Sequence, residues 1–186
     1  MKLTNPTFYN CNSETLAKKL LGKILCVAHD NKIIRASITE TESYGLNDTA
    51  CHTYKGRTKR NDPMFHRGGT IYVYLCYGIH EILNISAGAD GEGQGVMIRG
   101  VCATKNIGAA DIAKDIDNIF GPGRVTKLLG VDRSFNYEFL TTSTRIWLED
   151  AHEILPEKIQ ALKRVGIGYA LQEDQDRLWR FRVMKE

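Results

Sequence analysis

The segment from Ile33 to Tyr44 constrains the fold more than any other feature of this sequence. Apolar side chains occupy every second position of its first half, at Ile34, Ala36 and Ile38, and polar side chains lie between them. Alternation with a period of two is typical of a β-strand that buries one face. We therefore predict a long strand whose even-numbered residues face the protein core.

Glu40 and Glu42 continue the even-numbered series toward Tyr44, so two carboxylates are predicted on the buried face. Burial raises the pKa of a carboxylate, and such placement often marks a catalytic group. A structural alternative stays open, because a strand that leaves the core near Ile38 would let both side chains reach water or an arginine. The backbone separation of residues i and i+2, roughly 6.5 to 7 Å, does not decide between these alternatives or define a glycoside-hydrolase pair.

Shorter patterns along the chain predict an antiparallel sheet accompanied by helices. A helix begins at Asn12 or Ser13, either of which can cap it, and ends at Gly22. Further strands are predicted over residues 24–28, 70–77, 79–86, 95–101 and 178–184, and further helices over residues 107–116, 124–129 and 157–165. The glycines between residues 88 and 95 lack the G-K-[ST] ending of a phosphate-binding loop, so this stretch is predicted to be a hairpin loop.

The length of 186 residues, 42% of them hydrophobic, suits one ordinary core but is short for two full domains. We therefore expect a single domain over residues 1–186. No apolar run approaches the ~20 residues of a membrane span, and the N-terminal residues lack the layout of a secretion signal. The five cysteines include no C-x-x-C pair, so we expect reduced thiols. The expected location is intracellular, in the cytoplasm or nucleoid if the source is bacterial, with no membrane partner.

The net charge of +3 is concentrated in one segment of the chain. Residues 55–69 carry five basic side chains and one acidic side chain, a local charge of +4 that leaves −1 for the remaining residues. Arg57, Lys59 and Arg60 are the candidates for contacts with nucleic-acid phosphates. A solvated surface loop is the alternative, because short basic runs are common on protein surfaces.

Tyrosines cluster in the predicted strand of residues 70–77, where Tyr72 and Tyr74 share one face and Tyr77 stands at the hairpin end. Tyr44 is a further candidate. A base stacked on an aromatic ring gains roughly 1–3 kcal/mol whatever its identity, so these side chains suit a nucleotide taken out of a duplex. Tyrosine also favours half-buried sheets, and that ordinary role stays open.

The histidines do not predict a metal site. Cys51, His52, His66 and His80 lie on separate segments without the spacing of metal ligands, so no metal is expected. His52 stands ten residues after Glu42. We expect it to be a neutral, hydrogen-bonding wall of whatever pocket Glu42 lines.

Two groups of short blocks are the most specific feature of the sequence. The first group comprises Glu40-Thr41-Glu42-Ser43-Tyr44, Ala50-Cys51-His52, Gly56-Arg57-Thr58-Lys59-Arg60-Asn61, Met64-Phe65, Gly68-Gly69-Thr70-Ile71-Tyr72-Val73-Tyr74 and Tyr77-Gly78. The second group comprises Asn84-Ile85-Ser86, Val96-Met97-Ile98-Arg99, Gly121-Pro122-Gly123, Lys127-Leu128 and Arg164-Val165-Gly166-Ile167-Gly168. In content and order these blocks resemble the alkyladenine (3-methyladenine) DNA glycosylase family, and the resemblance covers roughly residues 16–183. Cys51 departs from the small residue expected there, and the loop between Glu42 and His52 is shorter than in mammalian relatives.

The resemblance implies roles for individual side chains. By this resemblance, Glu42 occupies the position of the family's general base, and Arg99 lies near it to orient water or the deoxyribose phosphate. Glu40 keeps a structural role. The family residues between which an extruded base stacks correspond to Tyr44, His52 and Tyr74. Tyr77 resembles the wedge that fills the gap left in the duplex, and Asn84 resembles the selectivity residue on the pocket floor.

The resemblance also implies a fold and a reaction. The fold is a single mixed α+β domain in which helices surround a curved antiparallel sheet with a protruding β-hairpin, and no cofactor is used. The enzyme would be a monomer that flips an alkylated or deaminated purine out of double-stranded DNA and hydrolyses its N-glycosidic bond. Its substrate class would include 3-methyladenine, 7-methylguanine, hypoxanthine and ethenoadenine. No lysine stands beside the Glu42 motif, so strand cleavage through a Schiff base is not expected.

Two other functions stay open at this point. A noncatalytic DNA- or RNA-binding module would explain the basic segment and the tyrosines but would leave Glu42 without a role. A carbohydrate-active or nucleoside hydrolase would share the carboxylate chemistry but would not need the basic segment or a wedge at Tyr77.

Overall fold

The computed structural model describes residues 1–29, 32–103, 117–151 and 153–184. Within these ranges the chain forms three α-helices and nine β-strands. The helices are α1 (Ser13–Leu20), α2 (Pro122–Leu129) and α3 (Gln172–Asp176). The strands are β1 (Ile24–His29), β2 (Lys32–Tyr44), β3 (Ile71–Cys76), β4 (His80–Ala87), β5 (Gln94–Ala103), β6 (Asp117–Phe120), β7 (Ile146–Glu149), β8 (Ile159–Leu162) and β9 (Arg180–Val183). None of the helices in the described ranges is long and apolar enough to span a membrane.

The strands form one antiparallel sheet. Its main path runs β3-β4-β5-β2-β1-β7, with β6 paired to β5 and β9 paired to β2 and β8. β2 and β5, with 13 and 10 residues, are the two long strands at the centre of this path. The predicted α+β fold, a curved antiparallel sheet with surrounding helices, is confirmed.

Most of the predicted elements are present. The strands predicted over residues 24–28, 33–44, 70–77, 79–86, 95–101 and 178–184 correspond to β1 to β5 and β9. The first predicted helix is α1, and Asn12 caps it by accepting a hydrogen bond from the Thr15 amide at 2.8 Å. The glycine-rich residues between β4 and β5 form the predicted hairpin loop. The strands β6 and β7, of four residues each, are not predicted from the sequence.

The helix predicted over residues 157–165 is wrong. Residues Pro156–Lys158 form a 3₁₀ turn, and the next four residues are β8. β8 pairs with β9, so strand pairing overrides the helix-like spacing of Ile159 and Leu162. The helix predicted over residues 124–129 is part of α2, and the helix predicted over residues 107–116 lies outside the described residues.

The hydrophobic core lies between α1 and one face of the sheet. Leu16 and Leu20 of α1 pack in it with Ala36 and Ile38 of β2. The neighbouring strands contribute alternate residues to the same core, which are Ile71 and Val73, Leu83 and Ile85, and Val96 and Ile98.

The even-numbered face of β2 does not remain in this core, contrary to the prediction. The pairing of β2 with β5 shifts register between Ile38 and Thr41. Beyond the shift Thr41 faces α1, where its hydroxyl donates a hydrogen bond to the Ala17 carbonyl at 2.9 Å. Neighbouring residues of a strand point to opposite faces, and a one-residue offset exchanges the two sets. The residues that therefore lie on the face away from α1 are Glu40, Glu42 and Tyr44.

The hairpin of β3 and β4 turns at Tyr77 and Gly78, whose φ angles are 50° and 73°. Two consecutive residues with positive φ are typical of a type I′ turn, the twist of which matches the strands that it joins. Tyr77 is 90% exposed and Ile79 is 74% exposed. The tip of the hairpin thus presents two large apolar side chains to solvent.

Candidate active site

A cavity of about 370 Å³ lies on the sheet face that points away from α1. The strands supply it with the residues that alternate with the core set, which are Tyr44 of β2, Tyr72 and Tyr74 of β3, Ile82 and Asn84 of β4, and Met97 and Arg99 of β5. The rest of its lining consists of Leu75 and Cys76 at the end of β3, Pro122 at the start of α2, and Ala50, His52, Arg60, Met64, Tyr77, Val165, Gly166, Ile167 and Tyr169 from the connections between strands and helices. An apolar and aromatic lining with a few polar groups is typical of a small-molecule site.

Glu42 lies directly behind this lining and has no exposed surface. Its Oε2 accepts a hydrogen bond from the Tyr44 hydroxyl at 2.9 Å, and its Oε1 accepts one from the Val165 amide at 3.0 Å. Arg99 Nε lies 3.5 Å from Oε1. Burial raises the pKa of Glu42, whereas the Arg99 charge and the two hydrogen bonds oppose that rise. The carboxylate is therefore held in one orientation, with a proton affinity above that of an exposed glutamate.

Glu40 has a different environment, although it is also fully buried. Its Oε1 accepts a hydrogen bond from Arg180 at 2.9 Å, and Arg182 donates to both of its oxygens at 3.1 Å. Arg99 Nε lies 3.4 Å from Glu40 Oε1 and so bridges the two glutamates. Glu40 is thus the centre of an ion-pair cluster that joins β9, β2 and β5 and holds Arg99 beside Glu42.

One wall of the cavity is a set of three aromatic side chains. The Tyr72 hydroxyl lies 3.0 Å from His52 Nδ1, and the His52 and Tyr74 ring centroids are 4.4 Å apart. The rings of Tyr72 and Tyr74 stack with centroids 5.6 Å apart. Burial, with the charge of Arg60 as a second cause, lowers the pKa of His52 to about 4. The imidazole is therefore neutral at neutral pH.

A buried ion pair joins the two loops beside the cavity. Asp48 and Arg164 have fully buried side chains and contact each other through both guanidinium Nη atoms. Arg164 also donates to the Ser43 carbonyl at 2.9 Å, and the next residue supplies the Val165 amide that binds Glu42. The pair therefore fixes one of the donors that orient the carboxylate. No role for this pair is predicted from the sequence, because its members are 116 residues apart and meet only in the folded chain.

Asn84 lines the cavity and is nearly fully buried. Its Nδ2 donates hydrogen bonds to the carbonyls of Tyr72 and Ile82, both at 3.2 Å. The donor end of the side chain is therefore used within the sheet, which leaves the carbonyl end to face a ligand.

The basic candidates of residues 55–69 have three different surroundings. Arg57 Nε donates to Asp62 at 2.6 Å, and this bond is the main reason that the pKa of Asp62 falls to about 2. Arg60 lines the cavity, and its guanidinium carbon lies 5.4 Å from the centre of the Tyr74 ring. Lys59 is exposed to solvent. The segment therefore does not act as one uniform basic surface.

The geometry gathers most of the candidate residues around one cavity. Those that line it or lie directly behind its lining are Glu42, Arg99, Tyr44, His52, Tyr74, Asn84, Tyr77 and Arg60. Arg57 and Lys59 do not line it. In the described part of the chain, no group of three His, Cys, Asp or Glu side chains could hold a metal ion. A buried, oriented carboxylate beside an aromatic cavity is an arrangement that suits acid–base chemistry on a flat, ring-shaped ligand.

Comparison with known proteins gives the family. The family model of methylpurine-DNA glycosylase (MPG) matches residues 7–186. A DNA-3-methyladenine glycosylase of Arabidopsis thaliana is 39% identical over an alignment of 188 positions, which covers 98% of this chain and 72% of that protein. A protein of Borreliella afzelii, provisionally named a 3-methyladenine DNA glycosylase, is 37% identical over 95% of this chain and 93% of its own length.

The chain therefore belongs to the methylpurine-DNA glycosylase family. It is a DNA-repair glycosylase, a hydrolase whose substrate is DNA. The family expected from the sequence blocks is confirmed.

Proposed function

We propose that this chain takes alkylated or deaminated purine nucleotides out of double-stranded DNA and hydrolyses their N-glycosidic bonds. The observation that carries the proposal is Glu42, a fully buried carboxylate with a raised pKa directly behind an aromatic cavity. Catalytic acids and bases often have pKa values moved by burial and by a specific charged partner. Arg99 is that partner here.

The cavity binds the extruded base by stacking. Tyr44, His52 and Tyr74 offer aromatic faces, and Asn84 offers a carbonyl oxygen. An enzyme that acts on a base must first remove it from the helical stack, at a cost of a few kcal/mol. The exposed ring of Tyr77 at the hairpin tip is suited to enter the vacated position and recover part of that cost.

Glu42 supplies the general base. In its ionised form it accepts a proton from a water molecule that attacks C1′, and its charge stabilises the oxocarbenium-like transition state. Each carboxylate oxygen can accept two hydrogen bonds, and Oε2 accepts one from Tyr44, so it retains a site for the water. A positively charged alkylated base is already a good leaving group. The products are the free base and an abasic site.

The proposal includes a single hydrolytic activity in a monomeric enzyme. Cleavage of the DNA strand would need an amine nucleophile at C1′, and no lysine lines the cavity among the described residues. Lys59 and Arg57 are proposed to contact phosphates beside the lesion. No step of the proposed mechanism uses a metal or an organic cofactor.

A panel of otherwise identical duplexes tests the proposal. Each duplex carries one lesion from the set 3-methyladenine, 7-methylguanine, hypoxanthine and ethenoadenine, and the free base and the abasic strand are measured separately. We expect release of at least one base, abasic sites in equal number, and intact strands until alkali is added. Binding of all four duplexes without release of any base would contradict the proposal.

A further inference from the structure

The formal charges on the cavity lining have one sign. Among the described residues, the lining includes two charged side chains, Arg60 and Arg99, and both are cations. The nearby carboxylate of Glu42 has no exposed surface and lies 3.5 Å from Arg99 Nε. Arg99 is thus matched by the glutamates behind the lining. Arg60 contributes a charge that those glutamates do not contact.

Arg60 differs in orientation from its neighbour in the basic segment. Arg57 is bonded to Asp62 and does not line the cavity. The guanidinium carbon of Arg60 lies 5.4 Å from the centre of the Tyr74 ring, and its Nη2 donates to the Leu75 carbonyl at 3.3 Å. These contacts hold the charge against the aromatic wall.

The charge acts across that wall. The His52 ring packs against the Tyr74 ring with centroids 4.4 Å apart. The pKa of His52 is lowered first by burial and second by the positive charge of Arg60. A neutral base in the cavity would be indifferent to such a field, whereas a cationic base would be repelled by it.

We propose that Arg60 is a specificity-determining residue that favours neutral damaged purines, such as hypoxanthine, over purines that carry a positive charge after ring alkylation. This inference rests on the proposed function. Aromatic walls alone attract cations, so Tyr44 and Tyr74 would bias the cavity toward alkylated bases. Arg60 opposes that bias and thereby widens the substrate class. Arg60 is exposed to solvent, so water screens its repulsion of a cationic base, and we expect it to change a relative rate by roughly threefold.

The ratio of two excision rates tests this inference. Single-turnover rates are measured for 7-methylguanine, which is cationic, and for hypoxanthine, which is neutral, in otherwise identical duplexes. The variants are Arg60→Gln, Arg60→Glu and Arg60→Lys. Arg67→Gln is the matched control, because this substitution removes the same charge from the same segment. Arg67 stacks on Phe139 and does not line the cavity. Both substrates are assayed on one preparation, so any loss of folded protein cancels in the ratio.

The 7-methylguanine to hypoxanthine ratio should rise roughly threefold in Arg60→Gln and further in Arg60→Glu. It should stay near the unmodified value in Arg60→Lys, which keeps the charge, and in Arg67→Gln. Equal losses for both substrates would show that Arg60 contacts a phosphate and would overturn the inference alone. Failure of the unmodified protein to release either base would overturn the proposed function and the inference with it.

Discussion

Replacement of Glu42 by glutamine should abolish most of the activity without loss of the fold. Glutamine has the shape of glutamate and can keep both hydrogen bonds of the site. Its Oε1 can accept from the Val165 amide, and its Nε2 can donate to the Tyr44 hydroxyl oxygen, which can reverse its role. The substitution therefore removes the charge and little else.

The effect on stability follows from the direction of the pKa shift. The pKa of Glu42 is raised in the folded protein, mainly by burial. A raised pKa stabilises the folded state at pH values below the ordinary value of about 4.5, and this stabilisation is lost as the pH rises through the folded-state pKa. At neutral pH the ionised side chain thus opposes folding. Glu42→Gln should melt at the same temperature as the unmodified protein or higher at pH 7.5, and the difference should shrink toward pH 4.

The effect on catalysis should be large. Removal of a positioned general base typically lowers the rate by about 10² to 10⁴. Single-turnover excision from a lesion duplex measures the rate, and fluorescence anisotropy with the same duplex measures binding. We expect lesion binding to persist, because the aromatic walls and the basic segment are unchanged.

Glu40→Gln is the matched control two residues away. Loss of the Glu40 charge breaks ion pairs with Arg180 and Arg182, whose side chains are 17% and 36% exposed. Removal of one partner of a buried pair costs about 3–5 kcal/mol, and less where solvent reaches the other partner. A cost of about 2 kcal/mol lowers the melting temperature by roughly 4–8 °C in a chain of this size. A larger catalytic loss at Glu40 than at Glu42, or near-normal excision by Glu42→Gln, would refute the assignment of the base.

Three further predictions concern the cavity wall and the DNA-binding surface. The His52 ring should titrate near pH 4 by NMR, and Arg60→Gln should raise the pKa of His52. Because the pKa of His52 is lowered in the folded protein, its contribution to stability is complete above about pH 6.5 and is lost as the pH falls toward 4. Lys59→Gln should weaken binding to lesion and undamaged duplexes equally. It should also reduce the slope of the logarithm of the DNA-binding constant against the logarithm of salt concentration by about 1. Arg57→Gln should change this slope less, because Arg57 is already ion-paired with Asp62. Tyr77→Ala should change the melting temperature by no more than about 2 °C, because the ring is 90% exposed. The same substitution should slow excision from a stable duplex more than excision from a mispaired one. A marked drop in melting temperature with unchanged base extrusion would contradict the wedge role.

Local patterns were sufficient for the central strands and for the identity of the carboxylates. The alternation of residues 33–44 predicts β2, and two glutamates in that strand draw attention because burial of a charge needs an explanation. The same patterns fail where long-range pairing decides. β8 has the apolar spacing of a helix turn but pairs with β9, and Asp48 finds Arg164 only in the folded chain. Likewise, composition alone does not distinguish Arg57, which binds Asp62, from Arg60, which faces the cavity.

The register shift in β2 explains how one strand can serve both the core and the site. Without it, Glu40 and Glu42 would continue the face of Ile38 and meet the apolar side of α1, where the cost of an unpaired buried charge would be high. The shift turns both carboxylates toward Arg99 and puts Thr41 against α1, where its hydroxyl finds a backbone acceptor. Gly100 makes the change possible, because a Cβ at that position would lie 2.8 Å from the Glu40 Cβ. Irregular pairing of β2 with β5 is thus the structural condition for two buried carboxylates beside the cavity on a strand that also builds the core.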